Sequence, residues 1–127
     1  MSGEDRARQF FRDRPQGLRA FETLRDCIGS FCPDATISVQ DSLISFRTSA
    51  GFAYVSLPGD GSGVLFNLAV VSRRPVDSHR VSRVVRTDGG TCMCHIAVRS
   101  EEDIDHELKG WIRQSYEYSR LPYLRRA

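Results

Sequence analysis

The sequence predicts an α+β domain, a two-layer sandwich in which N- and C-terminal helices cover one face of an antiparallel meander sheet of four to five strands. Apolar residues recur every three or four positions near both ends, and they alternate with polar residues in the middle. The links between the alternating runs are short and rich in Gly, Ser and Asp, and such links join only antiparallel neighbours, since a parallel crossover needs about a dozen residues. With 127 residues, 40% hydrophobic and 27% charged, the chain is sized for a single domain, with a core over about 10–119 and a tail over 120–127. That balance excludes intrinsic disorder and collagen-like repeats.

Phe10 and Phe11 close a short charged segment, and Pro15 then suits a helix's first turn, where its missing N–H leaves nothing unpaired. Leu18, Phe21, Leu24, Ile28 and Phe31 share one helical face, which predicts a helix from Pro15 to about Gly29. Ile37 and Val39, then Leu43 to Thr48, then Phe52 to Leu57 read as strands separated by tight turns. Pro58 to Gly63 is a hairpin loop, and Val64 to Val71 is the most apolar strand. Thr91 to Arg99 alternates as a final strand. Between these last two, Val81, Val84 and Val85 are expected to line a short helical turn. Ser100-Glu101-Glu102-Asp103 resembles a capping box and predicts the start of the last helix, with Ile104, Leu108, Trp111, Ile112 and Tyr118 as its buried stripe. The tail from Leu121 to Ala127 is expected to fray or to contact a partner.

Met1 to Arg14 holds four arginines, three acids and no apolar stretch, and the longest apolar run is nine residues broken by Asn67. A membrane span needs about 20 residues and a signal peptide needs an apolar core, so the expectation is a cytoplasmic protein without a membrane partner. In that compartment Cys27, Cys32, Cys92 and Cys94 are expected as thiols.

The order of segments resembles a known family. Phe10, Pro15 with its helix, Ile44-Ser45-Phe46-Arg47, Gly51-Phe52-Ala53-Tyr54-Val55 and Cys94-His95-Ile96 are similar to the small bacterial domain-of-unknown-function 5655 family. So are Ser100 to Leu108, Trp111-Ile112 and Ser115-Tyr116-Glu117, and the likeness covers about Phe10 to Ser119. The resemblance implies a small α+β domain without an assigned activity.

The residues themselves offer no catalytic constellation. On a strand Cys92 and Cys94 point one way and His95 the other, so the three cannot meet one tetrahedral metal ion, and all four cysteines are expected as packing residues. Asp77-Ser78-His79 has the residue types of a triad, but sequence neighbours cannot form a relay. His106 and the carboxylates from Glu101 to Glu107 read as a cap and a solvated face. Gly59, Gly61 and Gly63 open no helix, which argues against a phosphate cradle. No cofactor, metal or catalytic residue is expected.

One regional signal remains. Of 18 basic residues only Lys109 is not arginine, and Arg73 to Arg99 carries six arginines against two aspartates, whereas the segments on either side are each net −1. Arg80, Arg83 and Arg86 recur every three residues, so a helical turn would present their forks together to phosphate or carboxylate. The expectation is a non-enzymatic binding module with an anion-accepting basic groove. Its floor would be Phe46, Phe52, Tyr54 and His95 on an open sheet face, and its rim Arg47, Arg80 and Arg83. A small anionic molecule or a nucleic acid is the expected ligand. The competing expectations are that the arginines pair with the acidic last helix, or that the protein homodimerises through a strand edge or the tail.

Overall fold

A computed structural model describes residues 3–59, 61–87 and 89–120. The order is α1 (Gly3–Phe10), α2 (Pro15–Phe31), β1 (Thr36–Val39), β2 (Ile44–Arg47), β3 (Gly51–Ser56), β4 (Phe66–Ser72), β5 (Val81–Arg86), β6 (Cys92–Val98), a 3₁₀ turn (Glu101–Asp103) and α3 (His106–Ser119). The expected tail contact falls on residues 121–127, outside the described residues.

The α+β class and the helices at both ends are as expected, but the sheet has six strands rather than four to five. All neighbours are antiparallel, in the order β1-β2-β3-β4-β6-β5. The first four strands form a meander. The basic stretch does not form a helical turn; it supplies edge strand β5, and β6 returns between β4 and β5. β6 has the stronger core pattern, with Cys92, Cys94, Ile96 and Val98 buried alternately, so it takes the place with two neighbours. The β-branched Val81, Val84 and Val85 suit a strand, and the arginines among them suit an exposed edge.

One cluster of buried residues lies between the helices and the sheet. Phe21 of α2 meets Phe46 of β2 with ring centroids 6.0 Å apart, and Phe11 bridges Phe21 and Phe66. Tyr116 of α3 packs edge-on against Phe52 of β3 at 5.4 Å. Phe46 and Phe52, expected on the open face, are therefore fully buried core residues facing the helices. For Phe46 the reason is alternation: it shares its face with Ile44 and, across the ladder, with Ala53. For Phe52 it is a register shift, in which Arg47 pairs with Gly51 and Phe46 with Ala53, leaving Phe52 as the extra residue turned inward.

That bulge interrupts the β3–β4 ladder just beyond the Ala53–Val70 pair. Ser115 of α3 fills the break: its hydroxyl donates to the Phe52 carbonyl at 2.6 Å and accepts from the Val71 N–H at 2.9 Å. The buried stripe of α3 is thus Leu108, Ile112, Ser115, Tyr116 and Ser119, with two serines where the periodicity reading places Trp111 and Tyr118. Ser119 donates to the Tyr116 carbonyl and meets Thr48 Oγ1 at 2.8 Å, so both buried hydroxyls are satisfied.

The last helix begins at His106 and is capped at Asp105, five residues later than the Ser100 cap expected from sequence. The Asp103 carboxylate accepts the N–H groups of Arg99 and Ser100 and closes only a 3₁₀ turn. Asp105 then caps the true helix by accepting the Leu108 N–H at 3.0 Å. Among the described residues no helix is long and apolar enough to cross a membrane.

Candidate binding face

Antiparallel pairing carries one row of side chains across the sheet face opposite the helices. Ser45 is opposite Tyr54, Tyr54 opposite Ala69, Ala69 opposite His95, and His95 opposite Arg83. Directly paired residues share a face, so the row is contiguous. Ala69 is the smallest member, and it lies between two rings separated by two strand spacings, about 10 Å. Ala69 is only 4% exposed, so the row presents Tyr54, His95 and Arg83 at the surface, and a trough between the two rings would be shallow. Val71, Met93 and Val85 form the parallel row on one side, and Ser56, Asn67 and Ala97 the row on the other.

At one end of the trough an Arg83 guanidinium nitrogen stands 3.5 Å from His95 Nε2. Partial burial, and then the Arg83 charge, hold the His95 pKa below its usual value, which favours the neutral ring. At the other end Tyr54 leans along its own strand over Gly51, whose missing side chain makes room for it: a Cβ there would lie 2.6 Å from Tyr54 Cζ.

The fold separates the other expected members of the site. Arg80 turns to the helix layer, where it bonds Asp105 at 2.9 Å, Glu107 at 3.0 Å and the Asp103 carbonyl at 2.7 Å, with its guanidinium 5.4 Å from the Trp111 ring centre. Its expected place beside Arg83 is thereby corrected, because it precedes the strand and locks the start of α3. For this arginine, pairing with the acidic last helix is what the structure shows. Arg86 points to the helix side of the edge, opposite Cys92. Arg47 is exposed on β2, four strand spacings or about 19 Å from β5, and cannot share a small ligand with Arg83. Tyr54, His95 and Arg83 remain together.

The cysteines are free thiols, and Cys32, Cys92 and Cys94 are buried. Burial, reinforced by Asp34, pushes the Cys32 thiol up to about 12. Among the described residues no cluster of His, Cys, Asp or Glu has the geometry to hold a metal ion.

A family model described as "Domain of unknown function (DUF5655)" matches residues 7–119, nearly all of the chain. The chain belongs to the DUF5655 family. No curated protein matches it, and no solved structure does. Ala69, the floor of the trough in this DUF5655 domain, was not singled out from the sequence, although the outward alternation of Asn67, Ala69 and Val71 in β4 carries the signal.

Proposed function

We propose that this DUF5655 domain is a non-enzymatic binding module whose helix-free sheet face takes a small anionic ligand. The observation that carries this reading is the row Tyr54–Ala69–His95–Arg83: two rings on either side of a small residue, with one guanidinium beside the second ring. A flat carboxylate or phosphate ester would lay its body over Ala69, place its anion on Arg83, and accept or donate one hydrogen bond at neutral His95.

A small ligand is favoured over a nucleic acid because folding divides the basic stretch. Arg80 is neutralised by α3, Arg86 faces the other side, and Arg83 alone of the three borders the trough. Tracking a backbone requires several aligned cations, and its affinity falls steeply with salt. The test is isothermal titration of the intact protein with benzoate, phenyl phosphate and a twelve-residue oligothymidylate, at low and high salt. Saturable binding of a small anion that weakens by about tenfold or more in Arg83→Ala and His95→Ala is expected. Binding of the oligonucleotide alone, or affinities untouched by both substitutions, would overturn the reading.

A second reading rests on the edge strand. Val84 and Val85 are 39% and 41% exposed on β5, an edge strand with β6 as its one neighbour among the described residues, a surface suited to pairing with another copy. Light scattering of the wild type and of Val84→Lys tests it, and a wild-type monomer at high concentration rejects it.

A further inference from the structure

The segment from Met1 to Ser72 is net −1, but its first fourteen residues hold four arginines against three acids. Folding sets three of those arginines around one cleft. The last turn of α1, the 11–14 turn and the β1–β2 turn enclose a cleft of about 660 Å³, within the size range of small-molecule sites. Among the described residues Arg6, Arg12 and Arg14 line it, with Asp41 the carboxylate beside them, and Arg14 has a partner of its own. Arg8, which does not line the cleft, pairs with Asp5 at 3.8 Å, whereas neither Arg6 nor Arg12 has an ion-pair partner among the described residues.

The other wall is apolar. Phe10 is buried, and Val39 and Leu57 are half-buried where β1 and the end of β3 meet the helix layer. Like charges gathered around a concavity repel one another and concentrate a positive potential in it. Planar guanidinium forks suit the oxygens of a phosphate better than an ammonium would, and the adjoining hydrocarbon wall suits the flat body carrying it. The cleft lies at the corner where α1 meets β1, so it shares no residue with the Tyr54–His95–Arg83 trough.

We propose that this corner cleft is a second binding site, for a small organic phosphate whose anion sits between Arg6 and Arg12 and whose ring packs on Phe10, Val39 and Leu57. The site does not depend on the sheet-face reading, and either can fail alone.

The experiment is a titration of the isotope-labelled intact protein with AMP and, in parallel, with inorganic phosphate, followed by amide chemical shifts. Expected are saturable AMP shifts confined to residues 6–14, 39–41 and 57, with AMP bound about tenfold more tightly than inorganic phosphate. Arg6→Ala and Arg12→Ala, both at exposed positions, should each weaken AMP by about tenfold with an unchanged melting temperature. Arg12→Lys, which keeps the charge and loses the fork, should fall between. Arg83→Ala should leave the cleft shifts intact, which separates this site from the trough. Absence of AMP shifts at millimolar concentration, equal affinity for AMP and phosphate, shifts spread over Arg47, Arg73 and Arg83 as well, or full binding by an Arg6→Ala, Arg12→Ala double variant would each overturn the proposal.

Discussion

Replacing Ser115 by alanine removes one hydroxyl from the fully buried face of α3 and leaves two backbone groups without their partner. In the native protein that hydroxyl stands between the Phe52 carbonyl and the Val71 N–H, where the bulge in β3 prevents the two from pairing directly. An unsatisfied buried donor or acceptor costs about 1–3 kcal/mol each, and alanine's better helix propensity returns about 0.5 kcal/mol. The net expectation is a loss of about 1.5–5.5 kcal/mol, a large part of the 5–15 kcal/mol typical of a domain. At about 2.1 cal/mol/K of unfolding entropy per residue, the melting temperature should drop by about 6–20 °C. Urea unfolding followed by circular dichroism measures the loss, and amide exchange locates it, since Val71 should lose protection before the rest of β4. A destabilisation below about 0.5 kcal/mol with Val71 still protected would refute the reasoning. The ladder would then close without the serine.

Arg80→Ala should cost about 2–3 kcal/mol in urea unfolding, from lost charged hydrogen bonds and the Trp111 contact, and Arg80→Lys should recover only part of it. Asp105 is held below its ordinary value of 3.8 by the Leu108 N–H and then by Arg80. Its contribution to stability is therefore complete above that value and is lost as pH falls through the lower folded one, so in Arg80→Ala the acid limb of the stability profile should be shallower. In Arg83→Ala, proton NMR titration should show His95 moving up toward its ordinary 6.5 without reaching it, because burial remains; an unchanged midpoint would remove the Arg83 contribution. Gly51→Ala should displace the Tyr54 phenol, seen as an altered tyrosine ring environment by NMR, while the core resonances of Phe46 and Phe52 stay in place.

The helices at both ends were legible because their apolar stripes repeat with the helical period, and β6 because Cys92 to Val98 alternates without a break. β5 was misread as helical: Val81, Val84 and Val85 lie at helical spacing, and only the bare edge of β6, which exists nowhere in the linear chain, makes the extended form better paired. Asp105 was hidden as a cap behind the equally plausible Ser100–Asp103 pattern, and which one starts the helix depends on where Arg80 arrives from 25 residues upstream.

By itself the sequence determined the α+β class, the family, the opposed faces of Cys94 and His95, and the absence of a contiguous catalytic motif. The class and the opposed faces follow from periodicities of 3.6 and two, which act over a few residues, and the family follows from the likeness of the chain's motifs over residues 7–119. Tertiary structure alone decided which aromatics were available and which arginines were neighbours. One extra residue in β3 turned Phe52 into the core, ion pairing withdrew Arg80 into the helix layer, and the packing of α1 against β1 set Arg6, Arg12 and Arg14 around one cleft beside Val39 and Leu57. The physical reason is that a face, a partner and a local potential are properties of position in space, and residues far apart in the chain contribute to each.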